Sequence, residues 1–245
     1  MITEELGNVK VNLTDEKELL PILHDRLVNK EKTKVFFLNA HCYNIAQKDE
    51  KYRANLNKAD FVLNDGIGVD IGAKIFNFKF KENLNGTDLT PKILEVCAEL
   101  SLRVFLLGGK PGVAEKASEN MRKKIPFLNI VGTLDGYFKE STDVVSIINK
   151  TNPDVIICAL GVPYQENWIS DNFNKINGTM FLAVGAFLDF ASNNITRAPK
   201  VFRKLKSEWI YRLLLEPKRM WKRYLIGNFT FIYYILKNKV INNSR

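Results

Sequence analysis

The residues whose types and spacing could do chemistry centre on Asn64-Asp65-Gly66-Ile67-Gly68. The apolar run Phe61-Val62-Leu63 before them reads as a buried strand, and Gly66 onward as a turn entering a helix. In an open α/β sheet, ligands bind just beyond the carboxyl ends of strands, because the loops diverge there. A carboxylate at that position, Asp65, can serve as a general base that takes a proton from a nucleophile. It can also cap the next helix, since Asp accepts from the free N–H groups of a first turn.

Other polar or glycine-rich groups follow other apolar runs. Asn39 ends Lys34–Leu38, Gly108-Gly109 ends Arg103–Leu107, Gly161 to Glu166 follows Asp154–Leu160, and Gly185 to Asp189 follows Thr179–Val184. Strand ends of a parallel sheet share one edge, so these groups can converge. Glycines there let backbone N–H groups approach a phosphate, which favours a nucleotide or sugar nucleotide over a metal. Gly66-Ile67-Gly68 is an incomplete dinucleotide fingerprint, because the third glycine is Gly72. Walker A, HExxH and GxSxG patterns are absent. The two histidines, His24 and His41, cannot build a His-rich metal site, and neither a metal nor a cofactor is expected. Thr87 and Asp88 read as helix caps first and ligands second. Gln165 sits at a strand-to-helix corner, and Glu166 reads as a first-turn helix acid. Tyr137 suits packing or base stacking. Asp189 is a carboxylate among apolar neighbours, and His41 reads as a surface or satisfied polar residue.

These residues must be held by the elements around them. Strands and helices alternate to about Ser192, so the fold class is α/β, a Rossmann-like parallel sheet with helices on both faces. Helices are expected at Glu16–Val28, Tyr43–Asn57, Gly66–Phe76, Leu89–Leu100, Val113–Lys124 and Thr142–Lys150, and a short strand at Asn129–Gly132. The remainder of residues 1–33 reads as mixed. Beyond Arg197-Ala198-Pro199 the character changes. Val201–Leu215 reads as a basic amphipathic helix, Glu216-Pro217 interrupts it, and Lys218–Ile226 resumes it. Phe229–Leu236 is apolar and aromatic, too short to span a bilayer but suited to an interface. The division is therefore a core over 1–195 and an appendage over 196–245.

Charge separates the same two parts. The chain carries +9 overall, while the segment from Arg197 to Arg245 has thirteen Lys and Arg against Glu208 and Glu216. All the excess positive charge lies in that tail, which points to an anionic partner. Arg212 and Arg219 are seven apart, hence on one helix face, and Lys222 and Arg223 follow. Interleaving with Trp209, Tyr211, Trp221 and Tyr224 favours an anionic membrane surface over nucleic acid. Cys42, Cys97 and Cys158 form no CxxC and no even framework, as in a reducing cytoplasm. No signal peptide or transmembrane run is evident.

Taken together, NDGIGV with Ala73-Lys74, NGTDL, LLGGKPGVAEKA, DGYF, the GVPYQE corner, the Phe187–Phe190 segment with RAPK, and EWIYRLLLEPKRMWKRY resemble the WecG/TagA/CpsF glycosyltransferases. The likeness runs from about Val35 to Tyr224. It implies a bacterial, metal-independent, inverting enzyme with a UDP-sugar donor, such as UDP-N-acetylmannosamine. The implied acceptor is a sugar on a polyprenyl diphosphate, typically undecaprenyl-diphosphate-N-acetylglucosamine, and the products feed cell-surface polysaccharide. It further implies a Rossmann-like core, and an appendage that touches the inner face of the cytoplasmic membrane and closes over the active site. On this resemblance Asp65 is the base. Asn39, Gln165, Arg212 and Arg219 match binding positions, and Asp189 matches a uracil contact. Gly66, Thr87, Asp88, Gly109, Tyr137 and Lys222 complete the candidate substrate-binding set, and a homo-oligomer is compatible with the sequence. Three positions depart from the pattern: Phe37 stands where Thr is frequent, Glu82-Asn83 where Glu-Arg is frequent, and Lys222 where Arg is usual. Two other classes fit the bare residues, a nucleotide-dependent oxidoreductase and a non-enzymatic protein binding membrane or nucleic acid through the basic tail.

Overall fold

The computed structural model of the chain describes residues 1–138, 141–199, 202 and 208–243; the side chains at 141, 142, 219 and 243 fall outside it. Its centre is a six-stranded parallel sheet in the order β4-β3-β8-β7-β5-β6. The strands are β3 (Thr33–Leu38), β4 (Phe61–Asn64), β5 (Arg103–Gly108), β6 (Asn129–Leu134), β7 (Val155–Ala159) and β8 (Met180–Ala183). Every residue of β7 and β8 is buried, as a parallel strand covered on both faces requires. The expected Rossmann-like α/β architecture is the observed one.

The helices differ from expectation in informative ways. α1 (Glu16–Val28) matches, with Asp15 as its cap and Leu19, Leu23 and Leu27 forming its buried stripe. The single helix expected over Tyr43–Asn57 is two, α2 (Ala40–Ala46) and α3 (Glu50–Asn57). Asp49 accepts from the Tyr52 N–H at 2.9 Å and starts the second helix afresh. α4 spans Ile67–Ile75, and its N-cap is Gly66, with no side-chain cap. Asp65 therefore does not cap it. α5 spans Gly86–Glu99 and is capped by Asn85, so Thr87 and Asp88 lie in its first turn instead of capping it. α6 (Val113–Lys124), α7 (Ser141–Thr151), α8 (Tyr164–Asn172) and α9 (Phe187–Ala191) complete the layers.

Residues 2–13, read as mixed, form an antiparallel hairpin of β1 (Ile2–Leu6) and β2 (Val9–Leu13). The hairpin covers the sheet edge at β4, where Asn12 Oδ1 accepts from the Val62 N–H at 2.7 Å.

Of the helix expected over Val201–Leu215, only α10 (Glu208–Leu215) is seen; 201 and 203–207 lie outside the described residues. α11 (Pro217–Trp221) follows the break at Glu216-Pro217, then a π-helical turn (Lys222–Ile226), then α12 (Gly227–Asn243). Among the described residues no helix is long and apolar enough to cross a membrane. The stretch expected to lie at an interface is in part core. Phe231 and Ile235 are fully buried against the sheet's helical cover. The Phe231 ring meets Tyr43 edge-on at 5.3 Å between centroids. A Cβ on Gly72 of α4 would come within 3.0 Å of both Phe231 and Ile235, so a glycine is what lets the helices approach. Polar bonds frame this contact: Asn44 Nδ2 donates to the Gly227 carbonyl at 2.7 Å, and Asn238 Nδ2 to Tyr43 Oη at 2.8 Å.

Removing a buried Ile side chain typically costs about 2–5 kcal/mol. Ile235→Ala is expected to lower stability within that range in urea unfolding, whereas Leu236→Ala, on the exposed face, is expected to change it by less than about 0.5 kcal/mol.

Candidate active site

Parallel strands deliver their carboxyl ends to one edge, and a large cavity opens there. It has two adjoining chambers of about 870 Å³ and 500 Å³. Asn39, His41, Asp65, Thr87, Arg212 and Arg223 line both, so they form the shared wall.

Asp65 is set by its strand. Its N–H donates to the Leu38 carbonyl at 2.8 Å, which ties the end of β4 to the end of β3. Its Oδ2 accepts from Asn39 Nδ2 at 3.2 Å, while Asn39 Oδ1 accepts from the Cys42 N–H at 3.0 Å and caps α2. Asn39 thus orients the carboxylate and is itself fixed by a helix start. Gly66 then turns the chain away at φ +92°, a conformation that L side chains rarely adopt. Its N–H donates to Asn83 Oδ1 at 2.6 Å. Asn83, one of the departures from the family pattern, is therefore a loop anchor beside Asp65.

Desolvation is the largest influence on Asp65 and raises its carboxyl above the ordinary aspartate value. The Asn39 hydrogen bond and the Arg223 and Arg212 guanidiniums pull it back down, without cancelling the rise, and Asp88 adds to it. Glu208 of α10 is raised by burial too, against Arg197 and Arg212, and Arg197 pairs with Asp88 at 2.7 Å. Around Asp65, the carboxylates Asp88 and Glu208 thus stand among the guanidiniums of Arg197, Arg212 and Arg223.

The candidate residues distribute as follows. Asn39, Asp65, Thr87, Gly109, Tyr137, Gln165, Asp189 and Arg212 line the larger chamber. Gly66 and Asp88 line the smaller one. Tyr137 is mostly exposed at the cavity mouth, and Asp189 Oδ1 receives a long bond from Asn194 Nδ2 at 3.4 Å. The Arg212 guanidinium lies 5.5 Å from the Phe190 ring centre. The strand-end glycines do not offer free donors as expected. Gly109 N–H already donates to the Ala159 carbonyl at 3.3 Å, and the N–H groups of Gly161 and Gly185 both donate to Gln165 Oε1, at 3.3 and 3.0 Å. Gln165 is itself buried and joins two loops. Lys222 does not line the cavity; its Nζ lies over the Trp221 ring at 5.6 Å. Arg219 lies on α11, with its side chain outside the described residues.

Three residues in or behind the cavity wall differ from their sequence reading. Arg223, the second residue of the π-helical turn, lines both chambers. Its Nε is buried and has no hydrogen-bond partner among the described residues. His41, read as a surface or satisfied polar residue, faces both chambers; burial, with help from Arg223, pushes its pKa down to about 4 and keeps it neutral. Glu166, read as an ordinary first-turn acid, is completely buried, and desolvation pushes it up to about 7. Among the described residues no group of three His, Cys, Asp or Glu side chains is arranged to hold a metal ion.

A carboxylate with a raised pKa, beneath two guanidiniums and at the carboxyl edge of a parallel sheet, can take a proton while negative charge develops on a departing group. Such an arrangement suits a group transfer from a phosphorylated donor. The chain belongs to the glycosyl transferase WecG/TagA/CpsF family, whose model matches residues 4–245. It is a glycosyltransferase. A Bacillus subtilis protein named N-acetylglucosaminyldiphosphoundecaprenol N-acetyl-beta-D-mannosaminyltransferase is 34% identical over 180 residues, covering 74% of this chain and 70% of its own. A Staphylococcus aureus protein of the same name is 30% identical over 214 residues, covering 86% of this chain and 83% of its own.

Proposed function

We propose that the larger chamber binds a UDP-sugar and that the chain transfers its sugar, of the N-acetylmannosamine type, to an acceptor sugar on a polyprenyl diphosphate. The names of the relatives support this pairing of sugar and acceptor. The observation that carries the reading is Asp65 on the wall shared by two chambers, with Arg212 and Arg223 beside it. Donor and acceptor can then occupy one chamber each and meet at the base.

In this mechanism Asp65 takes the proton from the acceptor hydroxyl. The hydroxyl oxygen bonds to the anomeric carbon, and the bond from that carbon to the diphosphate oxygen breaks, leaving its electron pair on UDP. A single displacement inverts the anomeric centre and needs one base. Arg212, Arg219 and Arg223 neutralise the departing diphosphate, so the reaction is metal-independent. Asn39 orients Asp65, and Gly66, Thr87, Asp88, Gly109, Tyr137, Gln165 and Asp189 shape the substrate sites. Residues 1–195 act as catalytic core and 196–245 as an appendage that supplies cations and rests on an anionic membrane. The products serve bacterial cell-surface polysaccharide synthesis, at the cytoplasmic face.

The membrane role rests on the outer side of α12 and the π-helical turn. Leu225, Phe229, Tyr233, Leu236 and Val240 recur at intervals of four, four, three and four and are all exposed. Lys218 and Lys237 are also exposed, positioned to meet anionic headgroups.

A placed base contributes about 10²–10⁴-fold to rate. Asp65→Asn should lose at least about a hundredfold of transfer while binding UDP within about threefold of wild type by calorimetry; activity above a tenth of wild type would remove Asp65 from the role. Only the ionised base accepts a proton, so wild-type activity should rise with pH through an apparent pKa above 3.8, the ordinary aspartate value. A hydrogen bond to a charged group is worth about 1.5–3 kcal/mol, so Arg223→Ala should weaken UDP binding about tenfold or more. Lys222→Ala should stay within about threefold, and equal losses would return the role to Lys222. Leu225→Glu with Phe229→Glu should cut binding to anionic liposomes at least about tenfold with the melting temperature unchanged, since burying each side chain in lipid is worth about 1.5–3 kcal/mol. Undiminished co-sedimentation would remove this face from the membrane role.

A further inference from the structure

Glu166 takes no part in the reaction above, yet its side chain is 0% exposed and it has no salt bridge among the described residues. The groups that act on it or feel its charge are Cys42 of α2, Tyr52 of α3 and Cys158 of β7, none of them a cation. A buried acid without a counter-charge is costly, and a leucine would fill the same space more cheaply.

Its hydrogen bond to Gln165 explains the placement. Glu166 Oε1 accepts from Gln165 Nε2 at 2.9 Å. Gln165 Oε1 in turn accepts from Gly161 N–H at 3.3 Å and Gly185 N–H at 3.0 Å. An amide oxygen has two lone pairs, and both are used here. The Gln165 amide therefore spans the loop after β7 and the loop after β8, which both line the larger chamber. Turning the amide over would set its N–H groups against the two glycine N–H groups and remove the donor that faces Glu166. An acceptor at position 166 holds the amide in the one orientation that closes this clasp.

We propose that Glu166 is a positioning residue: through Gln165 it clasps the Gly161 and Gly185 loops together and so sets the shape of the donor chamber at the β7–β8 end. The inference rests on the reading of that chamber as the UDP-sugar site. Burial favours the uncharged acid, which still accepts through its carbonyl oxygen, and Glu166→Gln keeps that acceptor while losing the acid.

The test is calorimetric titration of the full chain with UDP, alongside amide hydrogen exchange at Gly161 and Gly185. Glu166→Leu should weaken UDP about tenfold and speed exchange at both glycines, and Glu166→Ala, a smaller replacement, should do the same. Glu166→Gln should restore affinity to within about threefold. The double variant Q165L/E166L should bind no more weakly than Q165L, because Glu166 acts through Gln165. Wild-type affinity in both Glu166→Leu and Glu166→Ala would overturn the proposal. So would a Glu166→Gln variant as weak as Glu166→Leu, or additive losses in the double variant. Failure of the wild type to bind UDP would instead overturn the donor reading itself, and the clasp's purpose with it.

Discussion

The structure depends on the contact between α12 and the helical cover of the sheet. Phe231 and Ile235 enter a layer formed by Tyr43, Gly72 and their neighbours, and their burial anchors the whole C-terminal segment. Fully burying two such side chains contributes about 3–6 kcal/mol, a large share of a typical domain's net stability. Through that anchor the π-helical turn is held against Asn44, and Arg223 is held at the mouth of the crevice. The cations that surround Asp65 are remote in sequence but fixed in space by an apolar contact some distance from them.

The electrostatics of the site follow from the same arrangement. A carboxylate at the bottom of a crevice is destabilised by the loss of water, and guanidiniums above it compensate only in part. Asp65 is therefore more basic than an exposed aspartate. The neutral His41 adds no further positive charge to this balance. The strand-end glycine N–H groups that bond to Gln165 and Ala159 are already spent, so in the proposed reaction stabilisation of the departing anion falls mainly on side chains of the C-terminal helices.

Much of this was legible in the sequence. The alternation of apolar strands and amphipathic helices specifies a parallel α/β sheet, and parallel strands put Asn39, Asp65, Gly109, Gln165 and Asp189 on one edge. What escaped was of two kinds. The β1–β2 hairpin carries its own signal, Gly7-Asn8 between short alternating runs. The place of Arg223 carries less, because Lys222 and Arg223 are adjacent in one basic run; the resemblance puts the third cation at Lys222, and only the fold brings Arg223 to the cavity. Glu166 looked ordinary for a related reason: Glu in a first turn is a common surface choice, and only the fold shows that this first turn faces the core. The apolar end of the chain was ambiguous because α12 has two apolar sides, one that packs and one that is exposed.

The N-terminal hairpin and α12 also meet. Asn242 Nδ2 donates to the Gly7 carbonyl at 3.3 Å, and a Cβ on Gly7 would come within 3.0 Å of Asn238. Leu6, Val9 and Val11 share their apolar layer with Phe231 and Ile235. This has a consequence during synthesis. The outer side of α2 and α4, with its apolar residues wet, stays uncovered until residue 235 and its neighbours have cleared the ribosome. Residues 6–11 wait for residues 231–235, so this layer closes only after both have been made, and Arg223 is anchored beside Asp65 by the same step.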